Sequence, residues 1–378
     1  MQMMVRRNLR LSTLTVFLMC SAPLFADEGS WTIGPRTLPP SAGASEVFQG
    51  YLAKLPPPDV TAAKADVFET AEQWEDWVRP RDEATAAAAR KLAKALSVSA
   101  TPDTIAGVRV YRVDPPEIAA EHKGHLFLHV HGGAYVLNGG EAGTFEAILL
   151  ASHLKIAVLS IDYRMPPAHP APAAREDVIA VWNKLLEDRS HSGVAMGGSS
   201  GGAGLTMAAI QHMIESGTDL PTVLFLGTPG ADATKTGDTK YLNEGVDPGL
   251  IAWDGVPAEA LKLYAGDYAL TDPMISPIYG EFNGFPPSYL ISGSRDLMLS
   301  DTIRTHRKLR QAGVDADLHV YEGQAHAEYL IFLNAPESAE HFAELNRFVL
   351  KHLPAPLATE SAVSNELNEV DIPKSVAY

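Results

Sequence analysis

Two adjacent serines between glycines form the segment of the chain that most strongly suggests chemistry. The segment Gly197–Gly202 reads Gly-Gly-Ser-Ser-Gly-Gly and stands between the apolar run Val194–Met196 and a helix-like run that starts at Leu205. A G-x-S-x-G pattern between a strand and a helix is typical of a tight turn that exposes a nucleophilic hydroxyl. A glycine- and serine-rich loop can instead cradle a phosphate at a helix N-terminus. The choice between a nucleophilic serine and a phosphate-binding loop therefore depends on which other motifs the chain contains.

The pattern fits two registers that differ by one residue. One is centred on Ser199 and spans Gly197–Gly201, and the other is centred on Ser200 and spans Gly198–Gly202. We predict Ser199 as the nucleophile, because the strand-like run Val194–Met196 needs only two glycines before the turn. In this register Ser200 contributes its backbone N–H to binding of an oxyanion.

A second glycine motif predicts an oxyanion hole. The segment His129–Tyr135 reads His-Val-His-Gly-Gly-Ala-Tyr and continues a strand-like run. Glycines there let backbone N–H groups point at a small anionic oxygen. The predicted donors are the N–H groups of Gly132, Gly133, Ala134 and Ser200. His129 and His131 could instead bind a metal, but the sequence offers no convincing third ligand nearby, and we predict no metal or organic cofactor.

An acid and a histidine each follow a strand-like run further along the chain. Asp296 comes just after Tyr289–Ile291, and His326 comes after Leu318–Tyr321. The order serine, aspartate, histidine is that of one class of acyl-transfer triad, so we predict that Asp296 orients His326, which activates the serine. The competing acids are Asp272 and Asp301, and Asp296 is preferred because only this acid follows a strand end directly.

Alternating elements predict the scaffold that would position these residues. The predicted strands are Leu126–Val130, Ile156–Ile161, Val194–Met196, Val223–Leu226, Tyr289–Ile291 and Leu318–Tyr321, with a hairpin near Val108–Arg112 before them. The predicted helices are Phe145–Leu154, Asp177–Leu186, Leu205–Ile214, Thr302–Gln311 and Ala339–Leu350. Alternation of this kind indicates an α/β fold with a mostly parallel central sheet flanked by helices.

The sequence also suggests the boundaries between the segments and domains of the chain. Residues 1–26 combine early arginines, an apolar stretch and small residues near Ala26, which predicts a signal peptide and a periplasmic or secreted protein that starts near Asp27. The intact mass of exported protein checks this. We expect an irregular arm and a helical cap in 27–104, with a helix that breaks at Pro80. A catalytic domain in 105–353 and a polar tail in 354–378 complete the chain.

Composition excludes several classes of function. The formal net charge of −16 becomes −19 when the signal segment is removed with three arginines and no acid, which argues against nucleic-acid binding. The apolar stretch is shorter than the roughly 20 residues that a membrane-spanning helix needs, so no stable membrane anchor is expected. The single cysteine, Cys20, lies in the signal segment, and therefore the mature chain has no thiol chemistry.

Taken together, these motifs resemble those of the hormone-sensitive lipase family of carboxylesterases, which have the α/β-hydrolase fold. His131–Tyr135 is similar to the family's H-G-G-G/A-x motif, and Gly197–Gly202 to its G-D-S-A-G-G motif, an alignment that also favours Ser199. Tyr163–Pro170 is similar to its Y-R-x-x-P-E-H-P stretch. The resemblance covers roughly 105–352. Departures stand at three places: Gly198 and Ala168 where the family has acids, and Ala327 where it has glycine.

The resemblance implies a serine hydrolase that cleaves carboxylic esters, with short acyl chains or lactones as substrates. Alternatives are a hydrolase fold that only binds its ligand, and an amidase or peptidase with the same triad. We expect the substrate pocket to be lined by Tyr135, Leu137, Met165, the N-terminal helical segment and part of Leu242–Tyr268.

Overall fold

Eight strands form one sheet in the computed structural model, which describes residues 30–35, 37–188 and 191–355. The strands are β1 Ser99–Ile105, β2 Val108–Asp114, β3 Leu126–Val130, β4 Val158–Ile161, β5 Val194–Ser199, β6 Val223–Gly227, β7 Ser288–Gly293 and β8 Ala316–Tyr321. Their order across the sheet is β1-β2-β4-β3-β5-β6-β7-β8. Strand β2 pairs antiparallel with both neighbours, and the other pairs are parallel. The predicted mostly parallel sheet is confirmed.

The helices cover both faces of the sheet, as its strand sequences require. They are α1 Glu46–Leu52, α2 Val60–Ala65, α3 Ala71–Leu96, α4 Thr144–Leu154, α5 Ala173–Asp188, α6 Gly201–Ser216, α7 Thr239–Leu242, α8 Val256–Ala265, α9 Leu299–Gln311 and α10 Pro336–His352. Central strands of parallel sheets are apolar throughout because both of their faces are buried. In β5, Met196 packs into the core beside α5, α6 and α9, and its neighbour Ala195 packs into the core beside α4 and α10.

The N-terminal part differs from the prediction in three respects. Helix α1 lies within the segment that we expected to be irregular, and β1 begins at Ser99, before the predicted boundary at 105. Helix α3 also continues through Pro80, and the helical segment is interrupted instead between α2 and α3. Pro80 is exposed, so the carbonyl that it leaves without a helical partner can be hydrated, which lowers the cost of proline inside a helix.

Several predicted regions fall wholly or partly outside the described residues. The signal segment 1–26 and almost all of the tail 354–378 are among them. Within the described ranges, none of the helices combines the length and the apolar character that crossing a bilayer would require.

Candidate active site

The turn between β5 and α6 is built around Ser200. Strand β5 ends at Ser199 and α6 begins at Gly201, so Ser200 alone makes the turn, with φ 58° and ψ −125°. A residue with a side chain adopts such a conformation only when its surroundings enforce it. This is the geometry of a nucleophile elbow, in which the side chain is exposed above the end of a strand.

The glycines on either side leave no space for side chains. A Cβ atom on Gly198 would lie 1.9 Å from the carbonyl oxygen of Val130, and one on Gly202 would lie 2.0 Å from the same atom. At Gly201 the nearest atom would be 3.4 Å away, which is ordinary contact. Glycine is therefore required two residues before and two residues after Ser200, as it is at Gly197, whereas position 201 has room for the side chain of alanine.

Ser200 faces His326, and His326 faces Asp296. The Ser200 hydroxyl oxygen is 2.9 Å from Nε2 of His326, and Nδ1 of the same ring is 3.0 Å from Oδ1 of Asp296. Asp296 is fully buried, and its carboxylate also accepts hydrogen bonds from the hydroxyls of Thr228 and Ser292 and from the N–H of Met298. The structure therefore brings the predicted acid Asp296 to the predicted base His326, but it places Ser200, and not Ser199, at the imidazole.

The predicted register must therefore be corrected by one residue. Ser199 is the last residue of β5, and its buried hydroxyl contacts Glu146 and Tyr329 rather than His326. The prediction was wrong because it ended the strand at Met196. The strand continues for three further residues, which pair with Phe225–Gly227 of β6.

The two acidic alternatives lie away from the imidazole. Asp301, on α9, is buried beside Lys240 with an N–O separation of 3.2 Å, and burial raises its pKa to about 6. Asp272 accepts a hydrogen bond from the N–H of Met274 in the loop after α8. Neither carboxylate contacts His326, which leaves Asp296 as the residue that can orient the ring.

Charge around His326 favours its protonated form. Burial alone would lower the pKa of His326, but the adjacent Asp296 carboxylate and, less strongly, Asp247 and Asp301 raise it above 6.5. Burial likewise opposes the charge on Asp296, yet His326 and the two hydroxyl donors keep the pKa of this carboxyl below its ordinary value. The pair is therefore suited to stabilise an imidazolium beside a carboxylate.

Backbone N–H groups of the turn after β3 converge next to Ser200. The carbonyl of Gly132 accepts hydrogen bonds from Nδ1 of His131 at 2.8 Å and from Asn138 at 3.1 Å. The carbonyl of Gly133 accepts from the N–H groups of Val136 and Leu137. In a planar trans peptide the next N–H points the opposite way, so these bonds fix the N–H directions of Gly133 and Ala134.

One predicted oxyanion donor is already used by the sheet. The N–H of Ser200 donates to the carbonyl of Gly227 at 2.8 Å, so it is not available for an oxyanion. The first N–H groups of a helix have no partner within the helix, and Gly201 is the first residue of α6. A Cβ on Gly201 would lie 3.4 Å from the Ala134 nitrogen, which puts Gly201 beside the predicted donors and makes its N–H the replacement for that of Ser200.

Helix α3 supports this turn through one carboxylate. Asp82 accepts hydrogen bonds from the N–H groups of Asn138 at 2.7 Å and Gly139 at 3.1 Å. Asn138 in turn holds the Gly132 carbonyl with its side chain. The N-terminal helix therefore contributes to the orientation of the oxyanion donors, a role that its sequence did not reveal.

Ser199 belongs to a buried network beneath the elbow. Its hydroxyl donates to Glu146 and lies 2.6 Å from the Tyr329 hydroxyl, and its N–H donates to Glu146 at 3.2 Å. Glu146 also lies 3.1 Å from Nε2 of His129, whose other ring nitrogen contacts Ser160. This network joins β5 to α4 and to the segment after His326. Sequence reasoning missed Glu146, whose signal is a single carboxyl in a mostly apolar helix.

A cavity of about 580 Å³ opens above Ser200 and His326. Its apolar lining comes from three regions, and includes Trp77, Tyr135, Leu137, Phe145, Leu250, Ile251, Val256, Leu261, Met298 and Leu330. Polar residues line one side, among them Asp59 and Asp66, which cap the two ends of α2, and Arg81 and Thr85 of α3. Most of the predicted lining is thus present, but Met165 lines a different cavity, of about 490 Å³, on the other side of α3.

Known proteins with similar sequences and folds include several esterases. A family model described as alpha/beta hydrolase fold matches residues 127–330. An esterase from Acinetobacter venetianus is 28% identical over 67% of this chain and 82% of its own length. An acetyl-hydrolase from Streptomyces hygroscopicus is 34% identical over 52% of this chain and 64% of its own length.

Solved structures agree with this result. The crystal structure of one esterase is 54% identical to the chain, covers 86% of it and 99% of its own chain, and superposes with a TM-score of 0.85. An esterase from the bacterial hormone-sensitive lipase family is 26% identical, covers 73% of the chain and 99% of its own, and has a TM-score of 0.63. The chain therefore belongs to the α/β-hydrolase-fold family, among the carboxylic ester hydrolases of the hormone-sensitive lipase group.

Proposed function

We propose that the protein hydrolyses esters of short carboxylic acids, or lactones, through an acyl-enzyme intermediate on Ser200. The observation that carries the proposal is the 2.9 Å contact between the Ser200 hydroxyl and Nε2 of His326, in a ring that Asp296 orients from its other side. A hydroxyl at this distance from a neutral imidazole is activated by general-base catalysis.

In the first half-reaction His326 accepts the Ser200 proton while Oγ attacks the carbonyl carbon of the ester. The carbonyl oxygen becomes an oxyanion, which the N–H groups of Gly133, Ala134 and Gly201 stabilise. The intermediate collapses when the ester C–O bond breaks and His326 gives its proton to the leaving alkoxide oxygen. The products of this step are the free alcohol and the Ser200 ester of the acid.

In the second half-reaction water replaces the alcohol. His326 accepts a proton from the water, whose oxygen attacks the acyl carbon, and the same N–H groups bind the second oxyanion. Breakage of the bond to Oγ releases the carboxylic acid, and His326 returns its proton to Ser200. For a lactone the alcohol and acid are parts of one product. No other group is needed to balance the reaction.

Two observations support small, uncharged substrates. The cavity above Ser200 has a mostly apolar lining and is bounded by the N-terminal helices, so acyl and alcohol groups must share about 580 Å³. The relative from Streptomyces hygroscopicus is named for hydrolysis of acetyl groups. We therefore infer that acyl chains of about two to four carbons react best, in line with the acetyl groups for which that relative is named.

The test is turnover of nitrophenyl acetate, butyrate and octanoate, a lactone and a peptide anilide by the purified protein. We expect kcat/KM to be highest for acetate or butyrate and at least about tenfold lower for octanoate, since each poorly accommodated methylene costs about 1 kcal/mol. Faster turnover of octanoate would refute the short-chain assignment. Preferential cleavage of the anilide would make the protein an amidase with the same triad.

The same assay across pH tests the role of His326. Only the neutral imidazole can accept the Ser200 proton, and the pKa of His326 is raised above 6.5 by its carboxylate neighbours. Activity should therefore be full at higher pH and fall as pH decreases through this raised value. An acid limb of kcat/KM with its midpoint below 6.5 would disagree with the charge arrangement around the ring.

A further inference from the structure

One buried carboxylate outside the triad contacts the backbone of both the acid and the base. Asp247 lies in the loop between α7 and α8 and is fully buried. Its Oδ2 accepts hydrogen bonds from the N–H of Leu297, at 2.9 Å, and from the N–H of His326, at 3.3 Å. Leu297 directly follows Asp296, so a single oxygen atom connects the two loops that carry the triad acid and base.

The other carboxylate oxygen of Asp247 binds the backbone of a segment that lines the substrate cavity. Oδ1 accepts hydrogen bonds from the N–H groups of Gly249 and Leu250, at 2.8 and 3.0 Å. Gly249, Leu250 and Ile251 all line the cavity above Ser200. One carboxylate therefore fixes three segments that are far apart in the sequence.

A second residue of this loop acts on the acid from another direction. The Asn243 amide donates to the carbonyl of Asp296 at 2.8 Å and to that of Ser294 at 3.3 Å. The N–H of Asp247 donates to the carbonyl of Asn243, so the two contacts belong to one folded turn. Asn243 therefore provides an uncharged control for substitutions of Asp247.

We propose that Asp247 is a positioning residue of the triad, which holds the backbone of Asp296 and His326 at their working separation and adds negative charge beside the imidazolium. The proposal rests on the serine mechanism given above. Four N–H donors converge on this side chain, and only an ionised carboxylate has acceptors for all of them without a proton of its own. A neutral isostere cannot satisfy the same four groups.

Several charged side chains influence the pKa values of His326 and Asp247. Burial lowers the pKa of His326, whereas Asp296, Asp247 and, without contacting the ring, Asp301 raise it. Glu328, in the segment after His326, has its pKa raised to about 7 by burial and by nearby carboxylates, and Arg295 opposes that shift. For Asp247 itself, burial and then Asp296 raise the pKa, while His326 and the N–H donors lower it.

The main test is Asp247→Asn, with the exposed Asp267→Asn as the matched control. The amide nitrogen of the new asparagine must face one of the two pairs of N–H donors, so two hydrogen bonds are lost in either orientation. Misplacement of a triad member by a fraction of an ångström to 1 Å lowers the rate by up to about 100-fold. We expect kcat to fall about 10- to 100-fold, with KM within about threefold of wild type and Asp267→Asn unchanged.

The pH profile separates a charged positioning residue from a merely structural one. Loss of a negative charge beside the imidazolium lowers the pKa of His326, so the acid limb of kcat/KM should move to lower pH in Asp247→Asn. Asn243→Ala removes a contact to Asp296 without changing charge, and should lower kcat while leaving the acid limb in place. Rates are normalised to the number of sites labelled by a fluorophosphonate, so unfolded protein does not contribute.

Each outcome decides the proposal. Wild-type kcat and an unshifted acid limb in folded Asp247→Asn would overturn it. A decrease in kcat that disappears when the rate is divided by the number of labelled sites would overturn it too. If the asparagine variant does not fold, Asp247→Ser replaces it, because a small hydroxyl brings no amide nitrogen against the backbone donors, and the same criteria apply. Failure of the underlying serine mechanism would be visible separately, as a wild-type protein that the fluorophosphonate does not label.

Discussion

Replacement of Ser200 by alanine should abolish ester turnover, and replacement of Ser199 should not. Ser200 carries the only hydroxyl of the pair within hydrogen-bond distance of His326, and loss of the nucleophile in a serine hydrolase lowers kcat by about 10⁶-fold. Ser199→Ala removes a hydroxyl that contacts Glu146 and Tyr329 instead. We expect this variant to keep kcat/KM within about tenfold of wild type and to lose about 1–3 kcal/mol of stability, the usual cost of leaving a buried partner unsatisfied.

Peptide mapping gives an independent measurement of the same assignment. A fluorophosphonate should form its adduct on Ser200 in the wild type and in Ser199→Ala, and should form none in Ser200→Ala. An adduct on Ser199, or an active Ser200→Ala enzyme, would restore the register that the sequence suggested. Because the two serines are adjacent, the fragment spectrum must resolve the bond between them.

Replacement of Asp296 by asparagine should have the second largest effect, a loss of about 10⁴-fold in kcat. The carboxylate accepts a hydrogen bond from Nδ1 of His326, which leaves the lone pair on Nε2 to receive the Ser200 proton. An asparagine amide placed against Nδ1 donates instead, and so favours the tautomer whose Nε2 already carries a proton. The ring would remain in place but could no longer act as a base.

The two other acids weighed from the sequence serve as comparisons. Asp272→Asn should leave kcat unchanged, because this carboxylate accepts a hydrogen bond from Met274 in its own loop and does not contact His326. Asp301→Asn leaves the buried Lys240 without its carboxylate partner, which typically costs about 3–5 kcal/mol. The lower stability should appear as a lower Tm, with little change in kcat per labelled site. A nearly normal Asp296→Asn enzyme would transfer the orienting role to one of these residues.

The scaffold could be predicted from the sequence, and so could the proximity of Asp296 to His326, because both depend on local patterns. Apolar runs followed by Asp296 and His326 mark strand ends, and strand ends of a parallel sheet meet at one edge. The nucleophile register depended instead on where β5 stops. Glycines are weak strand formers, so the pattern suggested an early end, whereas pairing with β6 carries the strand on to Ser199.

Other parts of the site had no local signal. Asp82, Glu146 and Asp247 accept hydrogen bonds from the N–H groups of Asn138, Ser199 and Leu297, each of which lies 50 positions or more further along the chain. Their roles arise only when folding brings backbone N–H groups to them.

The contact between α3 and the oxyanion turn has a consequence for the evolution of new specificities. Trp77, Arg81 and Thr85 of this helix line the cavity, and Asp82 on the same helix holds the N–H groups next to the turn. Selection for larger substrates would first change the lining residues, and any displacement of the helix would be transmitted to the donors that stabilise the transition state. Broader substrate range should therefore be accompanied by slower turnover of every ester, and compensating substitutions should arise around Asn138 rather than in the triad.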